Sequence, residues 1–126
     1  MTRQAITTTG APAALGPYSQ GIATDALLFC SGQIGLDPAT GELAAGVEAQ
    51  AERALLNLAA VLAADGLGWA DVVKTTIFLA DIGDFAAINT VYAAHVVEPP
   101  PARSTYAVGA LPRGALIEIE AIARRR

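Results

Sequence analysis

The sequence predicts an α/β fold, a two-layer sandwich in which a mixed six-stranded sheet carries two helices on one face. Two segments each show a single apolar stripe at helical spacing, so each needs one surface to pack against. Six shorter runs of strand composition surround them, in the order β-β-β-α-β-α-β-β. The two helical crossovers favour parallel neighbours, and the short links at both ends favour antiparallel ones, which makes the sheet mixed.

The 126 residues fit a single domain spanning residues 1–126. At that length folding buries roughly two thirds of the chain's surface, enough for a real core. Hydrophobic residues make up 53% and charged residues only 16%, which is apolar for a monomer with all its surface in water. No apolar run reaches the roughly 18 residues of a membrane span, so the surplus points to an oligomer interface. The formal net charge of −4 argues against broad nucleic-acid binding. Arg124-Arg125-Arg126 is the one basic run, and it reads as a solvated tail. The N-terminus, Met1 to Ile6, lacks the apolar core of a secretion signal. Cys30 is the single cysteine and has no intrachain disulfide partner, so cytoplasm is the expected location.

In chain order, Gln4–Thr9 reads as a short strand ended by Gly10 and Pro12. Leu15 to Gly21 is a turn carrying Tyr18. Gly21–Thr24 and Ala26–Ile34 read as strands with Asp25 at the turn between them. The second is nearly all apolar (Leu27, Leu28, Phe29, Cys30), so it is buried on both faces or faces a partner. It runs into Ser31-Gly32-Gln33-Ile34-Gly35, where glycine permits a bend or the close approach of another group. Val47–Ala64 is the clearest helix: Val47, Ala51, Ala54, Leu55, Leu58, Val61 and Leu62 form its stripe, while Glu48, Gln50, Glu52, Arg53 and Asn57 lie off it. Asp71–Leu79 is a strand on which alternation puts Lys74 beside Thr76 and Phe78 on the less buried face. A second helix spans about Ile82 to Val96, capped by Asp81, with Phe85, Ile88, Tyr92 and Val96 on its apolar side. Pro99-Pro100-Pro101 stops it and leads stiffly into Arg103.

Two strand-like runs close the chain, Arg103 to Val108 and Ala115 to Ile122. A plain hairpin with Val108 opposite Ala115 would set Arg103 opposite Glu120. A strand inserted between the two runs, or pairing across a subunit boundary, would also bring arginine and glutamate together. One His and one Cys, far apart, make neither a zinc site nor a Cys/His nucleophile pair, and there is no phosphate-loop or dinucleotide fingerprint. His95 and Cys30 read as structural residues. An Arg/Glu pair on a sheet is most often a plain ion pair. The alternative is chemical: a rigidly presented guanidinium can hold a substrate carboxylate through two hydrogen bonds while a carboxylate nearby orients or deprotonates water.

Gly16-Pro17-Tyr18-Ser19-Gln20-Gly21, Ser31-Gly32-Gln33-Ile34, Asp37-Pro38-Ala39-Thr40-Gly41-Glu42, Val73-Lys74-Thr75-Thr76, Asp84-Phe85, Pro101-Ala102-Arg103-Ser104 and Ile117 to Ala123 resemble the RidA (YjgF) family of enamine/imine deaminases. The resemblance covers nearly the whole chain in order. It implies a chorismate-mutase-like homotrimer with sheets inward, helices outward and three sites in the clefts between subunits. It also implies hydrolysis of reactive 2-imino acids (2-iminopropanoate, 2-iminobutyrate) to 2-oxo acids and ammonia. That is metabolite damage control with no cofactor and no metal, linked functionally to the PLP-dependent dehydratases that release such imines. By position, the resemblance makes Arg103 the carboxylate clamp and Glu120 the residue that activates water. Tyr18, Ser31, Gly32 and Asn89 would contact substrate. Thr105 stands where many relatives have cysteine, and its hydroxyl can still hydrogen-bond an imine nitrogen. Two other readings stay open: a deaminase for a different enamine, such as an aminoacrylate in a degradation pathway, and a non-catalytic trimer that binds 2-oxo acids. A ribonuclease role fits poorly with the acidic balance and with the lack of a His/Lys constellation.

Overall fold

The computed structural model describes residues 3–126. Its six strands are β1 (Gln4–Ile6), β2 (Gly21–Ala23), β3 (Leu27–Ile34), β4 (Val72–Leu79), β5 (Ala102–Ala107) and β6 (Ile117–Arg124). Its helices are α1 (Val47–Ala64) and α2 (Phe85–Ala93). One sheet holds all six strands in the order β1-β2-β3-β6-β4-β5. Only β4 and β5 are parallel neighbours, joined by the crossover through α2. β6 runs antiparallel to both β3 and β4, so the α1 crossover also joins two strands of like direction.

The terminal hairpin is therefore not formed, because β4 separates β5 from β6. The apolar content of each strand explains this order. On β6, Ile117, Ile119, Ala121 and Ala123 are buried with at most 2% exposure, so it takes the middle of the sheet. β5 is exposed or half-buried along its length and suits an edge. Thr75 lies level with Arg103 on one side and Ala121 on the other, and Thr76 with Ser104 and Glu120. Side chains on neighbouring strands at the same level share a face. Arg103 therefore belongs to the layer of Thr75 and Ala121, and Glu120 to the opposite layer.

Both helices cover the first of these faces. Leu55, Leu58, Val61, Leu62 and Ile88 pack there against Leu28, Ile77, Leu79, Ile117 and Ile119 in one continuous core. Each large side chain so buried stabilises by about 1.5–3 kcal/mol relative to exposure. The stripe read from the sequence of α1 is the buried one. Two residues placed off that stripe, Gln50 and Asn57, are buried as well and satisfy loop backbone. Asn57 Nδ2 donates to the carbonyls of Ile34 (3.2 Å) and Leu36 (2.9 Å). Gln50 accepts from Leu116 N–H (2.8 Å) and donates to Ala44 O (3.0 Å). Gly35 lets α1 come this close, since a Cβ there would stand 2.6 Å from Gln50 Cα.

The first strand is shorter than expected, and α2 is preceded by a 3-10 turn over Ile82–Asp84, in which Asp81 Oδ1 accepts from Gly83 N–H at 2.8 Å. No helix among the described residues is long and apolar enough to cross a membrane. Arg124 and Arg126 are exposed as expected, but the last two arginines are tied back to the body of the domain. Arg125 forks onto Asp65 (2.8 and 3.0 Å) and donates to Thr24 O (2.6 Å), while Arg126 forks onto Asp71 (3.0 and 2.6 Å). Asp71 also accepts from Gly68 N–H. The Arg126 hydrogen bonds, ahead of the one from Gly68, pull its carboxyl from 3.8 down to about 2.

Asn57→Ala removes a hydrogen bond from each of the Ile34 and Leu36 carbonyls, of which that of Ile34 keeps Leu36 N–H, and opens a void, so unfolding in denaturant at fixed protein concentration should show a loss of about 2–4 kcal/mol. Because the folded-state pKa of Asp71 is depressed, its contribution is whole above about pH 3.8 and fades as pH falls towards about 2. Thermal melts across that window should therefore drop less steeply for Asp71→Asn than for the wild-type protein.

Candidate active site

The helix-facing group is built on α2 and the edge strand β5. Phe85, Asn89 and Tyr92 recur at helical spacing on one side of α2, and Arg103 extends from β5 towards them. Arg103 Nη2 donates to Asn89 Oδ1 at 2.7 Å. Its guanidinium carbon lies 4.9 Å from the Tyr92 ring centroid and 5.3 Å from that of Phe85, within cation–π range. No carboxylate pairs with it among the described residues, and Asn89 is its one hydrogen-bond partner there. An arginine carries five donors, so an edge of the fork is left for an anion. Thr105, level with Ile77, shares the face of Arg103.

The second group lies on the helix-free face. Between Cys30 and Gln33 the pairing of β3 with β6 slips, so that Ser31 and Gly32 stand opposite the single residue Glu120. This is a β-bulge, a device that re-aims side chains. Ser31 Oγ donates to Ser19 O at 2.6 Å, and Ser31 N–H donates to Gln20 O. From the other side Gln20, only 3% exposed, is bonded to Thr8, Ala11 and Pro12 backbone. The turn carrying Tyr18 is thus held at both ends. Tyr18 Oη accepts weakly from Leu15 N–H (3.3 Å), and the residue lines two adjoining depressions. One, of about 660 Å³, includes Ser31 and Glu120. The other, of about 400 Å³, includes Gly32, Glu118, Arg113 and apolar walls from Leu15, Ile34 and Leu36.

Glu118 is the residue the sequence reading missed. Its carboxylate occupies the space that a Cβ at position 32 would enter, so any side chain there would displace it. Burial, and then the charge of Glu120, raise its pKa above the ordinary 4.5. Glu120, by contrast, is exposed. Both glutamates alternate identically in Ile117-Glu118-Ile119-Glu120, and nothing local in the sequence separates them. The position of the bulge does.

Of the residues singled out from the sequence, the structure brings together Arg103 and Asn89, with Thr105 on the same face. It brings Tyr18, Ser31, Gly32 and Glu120 together on the other. Within one chain it does not bring Arg103 to Glu120 or Glu118. Cys30 is buried, and desolvation, with a smaller push from Asp65, raises its thiol to about 12, so it is no nucleophile. His95 Nε2 lies 2.8 Å from Glu52 on α1, away from both groups.

Comparison with known proteins bears on the family to which the whole chain belongs. The family model described as Endoribonuclease L-PSP matches residues 8–125. The chain is 56% identical to Protein DfrA of Myxococcus xanthus, over 98% of this chain and 96% of that one. It is 50% identical to the 2-iminobutanoate/2-iminopropanoate deaminase of Mus musculus, over 96% and 90%. The crystal structure of E. coli TdcF with bound serine superposes with a TM-score of 0.92 at 43% identity, over 98% and 99% of the two chains. With the model covering almost its whole length and relatives at half identity, the chain belongs to the Endoribonuclease L-PSP family, the RidA (YjgF) group its motifs resemble.

Proposed function

We propose that the protein hydrolyses small 2-imino acids, with 2-iminopropanoate and 2-iminobutyrate as substrates, to 2-oxo acids and ammonia. The observation that carries this reading is Arg103: a guanidinium set on two aromatic rings, held by a neutral amide and, among the described residues, opposed by no carboxylate. A structural ion pair would look different. A cation so presented suits a bidentate grip on a ligand carboxylate. A relative of known structure holds serine, which carries that group, and mammalian relatives at about half identity are named for the imino-acid reaction.

Since Arg103 and the glutamates point to opposite faces of one sheet, a site that uses both takes them from two copies. The helix-free face offers the contact. Phe29 (43% exposed) and Tyr106 (54% exposed) stand on it with Phe78 and Ile122 half-buried, an apolar surface of the kind that oligomers cover. Three copies in a ring, each presenting unlike edges to its neighbours, close such a contact and give three sites.

In each site the Arg103 fork holds the substrate carboxylate and leaves the adjacent protonated C=N carbon electrophilic. Glu118, from a neighbouring copy, accepts a proton from water as its oxygen bonds to that carbon. The protonated Glu118 returns its proton to the nitrogen of the resulting carbinolamine; the C–N bond then breaks as the hydroxyl proton leaves with the amine, releasing ammonium and the 2-oxo acid with Glu118 again deprotonated. Tyr18, Ser31 and the Gly32 backbone form the wall of the site, with the hydroxyl of Thr105 facing the nitrogen. Positioning carries much of the acceleration because the imine is already reactive. Glu120, the carboxylate expected from the resemblance, lies further out and contributes negative potential that keeps the pKa of Glu118 high. Supply comes from PLP-dependent elimination on hydroxy amino acids in the cytoplasm. A nuclease reading gains nothing from the basic C-terminus, since Arg125 and Arg126 are engaged by Asp65 and Asp71.

The direct test generates the imine with a threonine dehydratase and traps it with semicarbazide. Added protein should lower the semicarbazone yield, and no change on addition would refute the reading. Arg103→Ala should raise KM about 10–100-fold, the worth of a charge-assisted clamp. Glu118→Gln should lower kcat about 100-fold or more and abolish the acid limb of the pH–rate profile. That limb lies above the ordinary glutamate range because the working form is the deprotonated carboxylate of a group with raised pKa. Glu120→Gln should stay within about twofold of wild type, and the reverse ranking would return the role to Glu120. Refolding Arg103→Ala together with Glu118→Gln in equal amounts should restore about one quarter of wild-type activity, the random yield of sites that take each intact residue from a different copy. No recovery on mixing would place both residues in one chain.

A further inference from the structure

Behind Arg103 stands a buried pair of hydroxyls that takes no part in the proposed chemistry. Thr75 Oγ1 and Tyr92 Oη are 2.7 Å apart, with Thr75 0% and Tyr92 6% exposed. Their surroundings are aliphatic: Ile77 and Leu79 follow Thr75 on the same face of β4, and Ile88 precedes Tyr92 on α2. Two buried hydroxyls in such a setting stabilise little beyond what valine and phenylalanine of the same shape would give, and each is costly if the other is lost. What the pair does provide is a fixed geometry. Thr75 is the level partner of Arg103 in the parallel β4–β5 ladder, and the Tyr92 ring is the nearer of the two on which the guanidinium rests. A closed circuit results, running from Arg103 through the ladder to Thr75, across the hydrogen bond to Tyr92, and back to Arg103 through the ring.

We infer that Thr75 and Tyr92 are positioning residues: their hydrogen bond sets the tilt and depth of the aromatic shelf, which with Asn89 fixes the plane of the Arg103 fork. A long arginine side chain has many rotamers, and two parallel bonds to a carboxylate form only when its fork is already aimed. The shelf restricts the tilt of the plane, Asn89 fixes rotation within it, and the far edge stays open for the ligand. The inference rests on the reading of Arg103 as a carboxylate clamp, yet the pair can be tested apart from activity.

With 15N-labelled arginine, the Arg103 Nε–H signal is identified by its loss in Arg103→Lys, and its order parameter is measured in full-length protein. The wild-type signal should be highly ordered, and Tyr92→Phe or Thr75→Val alone should each loosen it. In the imine assay the same variants should raise KM about fivefold and leave kcat within about twofold, as expected for weaker ground-state grip. The corresponding imino methyl ester, which has no carboxylate, should show no such rise. The double variant Tyr92→Phe/Thr75→Val leaves no orphaned hydroxyl, so its melting temperature should return towards wild type while Arg103 stays loose and KM stays high. Unchanged order at Arg103 in both single variants overturns the inference, as does recovery of order and KM together with melting temperature in the double variant. A wild-type protein without imine hydrolysis sinks the functional reading, and the order parameter still decides the positioning pair.

Discussion

The two-sidedness of a β-sheet governs this molecule. Once β6 lies between β3 and β4, alternation fixes which side chains enter the helix-covered core and which stand on the bare face. Ile117, Ile119, Ala121 and Ala123 claim the core side, so Glu118 and Glu120 have no choice of face. A one-residue slip of β6 would bury both carboxylates among leucines and expose its apolar set, a cost of several kcal/mol for each charge. The same parity, passed across β4, sends Arg103 to the helix side. Thus the separation of cation and carboxylates follows from core packing.

Buried polar side chains hold the irregular segments that parity leaves unspecified. Asn57 and Gln50 reach from α1 to the backbone after β3 and before β6, and Gln20 gathers the N-terminal loop. Each meets carbonyls or N–H groups that the sheet cannot pair, where an unsatisfied group costs about 1–3 kcal/mol. Between them they anchor the chain on either side of the Ser31-Gly32 bulge. The bulge is therefore held by the core even though it lies at its edge, which is how a site gains rigidity without regular structure.

Layer architecture and element count were legible in the sequence because they depend on local periodicity. The stripe from Val47 to Leu62 and the alternation in β4 and β6 each name their own buried face. Sheet order was not legible in the same way. A hairpin from β5 to β6 satisfies every local signal, and it loses only because the more apolar β6 takes a central place and leaves the edge to Arg103-Ser104-Thr105-Tyr106. Long-range partners were likewise invisible: Arg125 and Arg126 look like a tail until Asp65 and Asp71 are brought beside them. Motif resemblance supplied the residue types of the candidate site but could not rank two glutamates on one face. That ranking needed the proximity of Gly32, a contact between strands far apart in the chain.

Keeping Arg103 and Glu118 apart within a chain has a chemical advantage for the proposed assembly. Side by side in one protomer they would form an ion pair, each taking up the charge that the other should offer to substrate and water. The carboxylate pKa would then fall, making it a weaker base, and the fork would be occupied before any ligand arrived. Placed on opposite faces, the guanidinium keeps an open edge and Glu118 retains a pKa raised by burial and by Glu120. When two copies join, the ligand's own carboxylate comes between the two groups: it satisfies the arginine and leaves the glutamate free to work on water. On this argument the subunit boundary supplies more than residues, since it also delays the pairing of opposite charges until the substrate is there to intervene.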